Sequence, residues 1–336
     1  MATTNPTESL GVPEPLPRGQ NVTRSSVSRS PRSRRLTLAL YLAILPTLVL
    51  LGLFTYYPDI NGLVHSLTNW EPGFGSPWVG LANYQTMIHD TLWIESFQHV
   101  GEFFIFAVTL MWIFPLFLAE VLITLSSARW RFVFRSLLIV PLAFPGVVQV
   151  LIWEFLYDPN SGAINHFLHV IGLGGLAQNW LGNPHLALLS LIFINFPWVA
   201  GLPFLIFAAG LQNIPKEVFD AALIDGAGRW RRFRSIDLPM LLRQIRLLFF
   251  LAVIQVLQYG YAAFIATNGG PNNATTVPVL RMLNVAFDAD EWGYAAALST
   301  VLLLVMVVVS GLALLLSRGR KDKSAPDPSS RPAALA

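Results

Sequence analysis

The chain has 336 residues, 54% of them hydrophobic and 12% charged, with a formal net charge of +3 and no cysteine. Soluble domains carry about 25% charged residues, so this composition argues against a soluble protein, and the lack of cysteine excludes disulfides, thiolate chemistry and cysteine-ligated metals. Several apolar runs reach about 20 residues, the length that crosses a hydrocarbon core of about 30 Å, which points to a protein that spans a membrane.

Residues 1–35 are rich in Pro, Ser, Thr and Arg and poor in apolar clusters, a composition that predicts a disordered tail rather than a signal peptide. Six spans are predicted after it, at 36–57, 102–125, 132–157, 186–211, 245–267 and 292–317. Pro46, Pro115, Pro141, Pro145, Pro197 and Pro203 fall inside them and predict kinks. Of the 22 Lys and Arg residues, all but Arg281 lie in the two tails, between spans two and three, or between spans four and five, counting Arg135 and Arg246 at the starts of the spans that follow. The positive-inside rule then puts both termini and the loop between spans four and five in the cytoplasm. The expected architecture is an all-α membrane protein of six transmembrane helices, with a membrane domain over 36–317 and a cytoplasmic tail over 318–336. On the opposite side, the loop after span one holds WEPGFGSPWVGLANY, with Trp70, Trp78 and Trp93 suited to an interfacial belt. NSGAINHFLHVIGL predicts a short interfacial helix, and NGGPNNATT is a turn-forming run.

The loop at 213–239 contains PKEVFDAALIDGAGRWRRFRSIDLP, too polar to cross a bilayer. Pro215 suits the first turn of a helix after Asn213 as cap, and Glu217 and Asp220 complement the helix dipole near its start. Val218, Ala221, Ala222 and Asp225 share one side, and the two alanines allow close approach of another backbone. Gly226 and Gly228 end this helix, and a second short segment with Arg229 leads through Ile236, Leu238 and Pro239 into span five. Such a knob either docks a partner or rests its arginines on lipid headgroups.

Polar side chains inside spans are costly in lipid and usually face a bundle interior. Gln255, Gln258 and Tyr259 form one face of span five, Asn195 sits beside Pro197 in span four, and Gln149 lies in span three. Neutral amides and aromatic rings suit a sugar pathway, and they equally suit hydrogen bonding between helices. Glu120 and Glu154, near span ends, suit snorkelling or pairing. The chain has no phosphate-binding loop motif, and its six histidines form no metal-binding pattern.

DAALIDGAGRWRRFRSIDLP resembles the E-A-A, three residues, G, nine residues, I-x-L-P loop of ATP-binding cassette importer permeases. Asp220, Ala221, Ala222, Gly226, Ile236, Leu238 and Pro239 occupy the motif, with Asp220 where the family usually has Glu. SLTNWEPGFGSPWVGLANY, DPNSGAIN, NGGPNNAT and GYAAALS are similar to the maltose-type, carbohydrate-uptake branch. The resemblance implies a coupling helix between spans four and five, a second six-helix permease (a different chain or a copy of this one), two cytoplasmic ATPases and an extracytoplasmic solute-binding protein. It also implies no catalytic residue, metal or cofactor on this chain, ATP and Mg on the partner ATPase, and no nucleic-acid partner, in the cytoplasmic membrane of a prokaryote. The implied cargo is a carbohydrate. A polyol or glycerol phosphate, or a stand-alone channel or secondary transporter, is the alternative.

Overall fold

The computed structural model describes residues 31–198 and 201–318. Most of the two expected tails lies outside these residues; Pro31 to Arg35 and Arg318 are helical. The chain divides into two units, one ending at Tyr57 and one starting at Pro58. The first holds α1 (Pro31–Leu51) and one π-helical turn, Gly52–Tyr56. None of residues 39–57 is buried.

The second unit runs from α2 (Tyr57–His65) through α3 (Ala82–Met87), the long α4 (Thr91–Thr124), α5 (Ala128–Ile139) and α6 (Gly146–Leu156). It continues with α7 (Ala163–Val170), α8 (Ala187–Ile192), α9 (Leu202–Gln212), α10 (Lys216–Ile224), α11 (Arg229–Arg232) and the single turn α12 (Leu238–Met240). It closes with α13 (Leu242–Leu257), α14 (Tyr261–Ala266), α15 (Pro278–Phe287) and α16 (Trp292–Arg318). Among the described residues there is no strand, only two isolated bridges, Thr68–Trp78 and Glu71–Gly75. The protein is all-helical.

Four helical stretches are long and apolar enough to cross a membrane: Ala39–His65, Thr91–Thr124, Leu242–Ala266 and Trp292–Ala313. They cover the first, second, fifth and sixth expected spans. The third is a pair of helices, Ala128–Ala143 and Gly146–Leu156, bent by 91° at the break between them. Pro141 and Pro145 cause this: neither can donate to the helix ladder, and Pro145 is extended at ψ 138°. Gln149 repairs part of the loss, donating from Nε2 to the Pro141 carbonyl at 3.0 Å. The fourth is broken more deeply. α8 has six residues and ends in a turn over 193–197, where Asn195 takes φ 68°, followed by Trp198 at φ 52° and Gly201 at φ 125° before α9. Asn tolerates the left-handed region, whereas a Trp there carries strain of about 1–3 kcal/mol. A kinked but continuous span was expected at 186–211; two short helices and an irregular turn stand there instead.

Two hydrophobic clusters hold the second unit together. One gathers Ala119 and Leu122 of α4, Phe204, Phe207 and Leu211 of α9, and Leu241 and Leu248 at the start of α13. The other joins α4, α6, α8, α13, α15 and α16 around Phe103, Val150, Leu191, Val256, Leu280 and Leu298. Gly210 allows the first to close: a Cβ there would lie 2.6 Å from Leu241 Cδ2.

The end of the unit near α3 is tied by polar contacts. Asp90 caps α4, accepting from the Trp93 amide at 3.0 Å. Its other oxygen accepts from Arg281 Nε of α15 at 3.0 Å and from the Tyr294 hydroxyl of α16 at 2.7 Å. Trp93 is 4% exposed and belongs to the core rather than to an interfacial belt; Trp78 is 67% exposed. Asn165 of α7 joins the loop after it, donating to the Pro159 and Gln178 carbonyls and accepting from Trp180 Nε1 at 2.8 Å. The NGGPNNATT run is a set of turns, with Asn268, Gly269, Asn272 and Asn273 all at positive φ.

Candidate functional site: a surface knob and a cavity

The loop at 213–239 folds as two short helical pieces. Pro215 is the N-cap of α10 rather than its first helical residue, and Asn213 closes α9 instead of capping α10. Glu217 lies in the first turn, where the dipole favours it. α10 ends in a Schellman arrangement: the Gly226 amide donates to the Leu223 carbonyl at 3.1 Å and the Ala227 amide to the Ala222 carbonyl at 2.9 Å. Gly226 takes φ +66°, so the stop requires glycine there. α11 and a π-helical turn, Phe233–Asp237, then lead to Leu238 and Pro239.

α10 has two faces. Val218 and Phe219 turn inward onto the cluster at the α4, α9 and α13 ends, and Ala222 is buried on the same helix at 5% exposure. Glu217, Asp220, Ala221, Asp225 and Gly226 are exposed, as is Arg229. The two alanines therefore divide: Ala221 is free to meet a partner and Ala222 is spent on the chain's own packing. Three exposed apolar side chains went unnoticed in the sequence, Leu223 at 73%, Ile224 at 86% and Trp230 at 72%. Ile236 and Leu238 are half-buried and Pro239 is exposed.

A charge cluster around the buried Asp237 anchors the knob. Arg232 donates from Nε to Asp237 Oδ2 at 2.9 Å and approaches Glu120 Oε2 near the end of α4 at 3.3 Å. Its guanidinium lies 5.2 Å from the Phe219 ring centroid. Asp237 is fully buried. Glu120 thus pairs, as its position near a span end suggested; the partner sits 112 residues away in the chain.

Above that anchor a cavity of about 820 Å³ opens among α4, α6, the turn after α8, α13 and α14. Gln149, Asn195, Gln255, Gln258 and Tyr259, drawn from three separate spans, all line it. They differ in what they can still do. Gln149 is fully engaged: besides its bond to Pro141, its Oε1 accepts from Asn195 Nδ2 at 3.0 Å, stapling the third span's break to the fourth's. Gln255 and Gln258 are exposed and make no side-chain hydrogen bond with any described residue. Tyr259 stacks on Phe103 with centroids 4.3 Å apart, and its buried hydroxyl has no partner among the described residues.

Aromatic walls complete the cavity and were missed in the sequence: Trp112, Trp153, Phe196, Trp198 and Tyr261. Phe196 and Trp198 pack edge to face at 5.2 Å, against Phe114 of α4. Tyr261 stands close over Gly146, where a Cβ would lie 2.7 Å from its hydroxyl. Gly260 makes the break before α14 possible, since a Cβ there would lie 2.6 Å from Val279 Cγ1. α4 serves both sites. Glu120, Ala119 and Leu122 belong to the knob's anchor, and Phe103, Ala107 and Met111, up to about 25 Å away along one helix at 1.5 Å per residue, line the cavity.

Comparison with known proteins shows the family. Residues 116–322 match the family described as binding-protein-dependent transport system inner membrane component. The chain is 30% identical over 344 residues to the diacetylchitobiose uptake system permease protein NgcF of Streptomyces coelicolor, covering 96% of this chain and 94% of that protein. It is 31% identical to a probable ABC transporter permease of Pyrococcus horikoshii, covering 80% of this chain and 91% of that one. It is 32% identical to the sn-glycerol-3-phosphate transport system permease protein UgpA of Shigella flexneri, covering 80% and 90%. A chain of a bacterial ABC transporter involved in import of the acidic polysaccharide alginate superposes with a TM-score of 0.74 at 21% identity, over 85% of this chain and 97% of that one. A second structure, of the alginate transporter with a periplasmic protein bound to alginate pentasaccharide, gives 0.75 at 20% identity, over 85% and 96%. The chain belongs to the binding-protein-dependent transport system inner membrane component family and is a permease of the ATP-binding cassette type.

Proposed function

We propose that this chain is one of two six-span permease subunits of an importer that takes a carbohydrate across the cytoplasmic membrane of a prokaryote. The observation that carries the reading is the convergence of Gln255, Gln258 and Tyr259 with five aromatic side chains on one cavity. Amides both donate to and accept from hydroxyls, and aromatic faces stack on the apolar faces of sugar rings. NgcF and the alginate transporter, as their names state, handle saccharides. The bent third span and the divided fourth would each count as one crossing, giving six with both termini in the cytoplasm by the distribution of Lys and Arg.

In this reading the knob docks an ATPase on a separate chain, which binds ATP and Mg. The docking face is Glu217, Asp220, Ala221 and Asp225 together with Leu223, Ile224 and Trp230. Exposed apolar groups beside charged ones are the composition of an interface centre and its rim. ATP-driven closure would press the knob, and the link from Arg232 to Glu120 would carry the displacement into α4 and so to the cavity wall. A solute-binding protein would deliver cargo at the loops near α3 and α7, and the second permease would complete the pathway.

Co-purification of the ATPase with wild type, Asp220→Arg, Gly226→Trp and Ile224→Glu tests docking. Retention of the ATPase by all three variants at the wild-type level would sink it. Gln255→Ala and Tyr259→Ala are expected to lower uptake with assembly intact; unchanged uptake by both would assign these residues to structure alone.

A further inference from the structure

We propose that the half of the pathway built by this chain admits uncharged, hydroxyl-rich solutes and rejects anionic ones such as phosphates and uronates. The inference rests on the cavity being the solute pathway and adds the charge class of the cargo. The polar side chains on the cavity wall are Gln149, Asn195, Gln255, Gln258, Tyr259 and Tyr261. No Asp, Glu, Lys, Arg or His is among its described lining residues.

Among the described residues, no Lys or Arg lines the cavity. Arg281 is held by Asp90, and Arg232 by Glu120 and Asp237. An anion leaving water for a low-dielectric wall needs a cation or a cluster of free N–H donors. Here the donors are few. Gln149 gives its amide protons to the Pro141 and Phe144 carbonyls, and the Trp198 indole gives its proton to the Ile192 carbonyl at 3.3 Å. Among side chains, that leaves the amides of Gln255 and Gln258, one amide proton of Asn195, the hydroxyls of Tyr259 and Tyr261 and the indole N–H groups of Trp112 and Trp153. The amides and hydroxyls pair donor with acceptor, which matches a sugar hydroxyl and faces a phosphate or carboxylate with as many repelling lone pairs as attracting protons; the two isolated indole protons replace no cation. The π-faces of Trp153, Phe196 and Trp198 carry negative charge density and add to the rejection of anions. Among the relatives, UgpA is named for an anionic solute and NgcF for a saccharide whose amines are acetylated and so uncharged; the wall seen here suits the second kind.

The chain has no cysteine, so a single introduced thiol reports the local field without knowledge of the cargo. The full transporter in proteoliposomes, carrying Gln258→Cys or Gln255→Cys in this subunit, is treated with neutral hydroxyethyl or anionic sulfonatoethyl methanethiosulfonate. Labelling of this chain is followed by mass spectrometry, with and without ATP and vanadate. Ser76→Cys in an exposed loop gives the reference ratio of the two rates. At the cavity positions the anionic reagent is expected to react at least about tenfold more slowly, relative to that reference. Adding Gln255→Arg to the Gln258→Cys variant should recover most of the anionic rate. Equal ratios at cavity and loop, or no recovery with the added arginine, overturn the charge inference and leave the pathway reading standing. Failure of both reagents in every state would mean that the cavity is not wetted, and both readings would fall.

Discussion

Removing Arg232 should detach the knob at 213–239 from the rest of the bundle. Its guanidinium holds two carboxylates, Asp237 at 2.9 Å and Glu120 at 3.3 Å, and Asp237 is fully buried. Breaking a buried pair by deleting one partner costs about 3–5 kcal/mol, because the charge left behind keeps its desolvation penalty. The Arg232 side chain is 22% exposed and that of Glu120 is 14%, so water reaches one side of the cluster and the lower figure of about 3 kcal/mol applies. At 1.4 kcal/mol per decade this is roughly a hundredfold in the equilibrium between docked and detached knob. Arg232→Met keeps most of the stem against Phe219 and removes only the charge. The assay is thermal inactivation of the solubilised transporter, read by size exclusion, alongside solute-stimulated ATPase activity. Arg232→Met should lower the inactivation temperature and uncouple hydrolysis from transport. The triple variant Glu120→Gln, Arg232→Met, Asp237→Asn, which leaves no unpaired charge, should recover most of the stability. A single variant as stable as wild type, or a triple variant as weak as the single, would refute the reasoning.

At the opposite end, burial acts to raise the Asp90 carboxyl, but hydrogen bonds from Tyr294, the Trp93 amide and Arg281 outweigh it and hold the group below 3.8. A depressed carboxylate contributes stability above its unfolded pKa of 3.8 and loses it as pH falls through the folded value. Asp90→Asn should therefore be less stable near neutrality, by on the order of 2 kcal/mol for its charged hydrogen bonds, and should flatten the acid limb of melting temperature against pH below about pH 4. Gly293→Ala would press a methyl into the backbone of Thr68 and Trp70, costing about 1–3 kcal/mol in a denaturation assay. Gly311→Ala, with nothing within 4 Å, should be neutral or gain about 0.5–1 kcal/mol as a helix-interior substitution. Gly146→Ala should displace Tyr261 from the cavity wall and lower uptake a few-fold while the complex still assembles; unchanged uptake would remove Tyr261 from the pathway.

Length and hydropathy were enough to read four spans, because α4 or α16 cannot bury so long an apolar surface in any other way. The third and fourth spans were legible as apolar runs but not as shapes. Pro145 and Pro197 predict a kink, whereas the 91° bend and the turn at 193–197 follow from prolines acting together with Gln149 and Asn195, which bond across 46 residues of sequence. The cavity residues could be picked out because an amide in an apolar run stands out. Its aromatic residues could not, since Trp153 or Trp198 in such a run reads as ordinary core. In the knob, Asp220, Ala221 and Gly226 stand out by spacing, whereas the exposure of Leu223 and Ile224 does not, because it follows from Val218, Phe219 and Ala222 taking the inward side of α10. Asp237 passed as the free position between Ile236 and Leu238; an acid flanked by two apolar residues was the available signal.

Among the described residues, three helix interruptions, near Pro145, at 193–198 and at 258–260, flank one cavity, which Pro141, Gln149, Asn195, Trp198, Gln258 and Tyr259 line. At each, the α-helical ladder gives way to single-turn hydrogen bonds, such as those from the amides of Phe144 to the Pro141 carbonyl, Phe196 to Phe193, Trp198 to Asn195 and Tyr259 to Val256, which open more easily than a continuous ladder. In an unbroken helix such as α4, deuterium uptake should be fastest at the frayed ends and slowest in the middle. The third, fourth and fifth spans should show the reverse, with an inner band of fast-exchanging amides flanked by protected turns. Ligands that fill the cavity would quench that band without touching the ends, so the breaks double as a built-in, label-free record of occupancy.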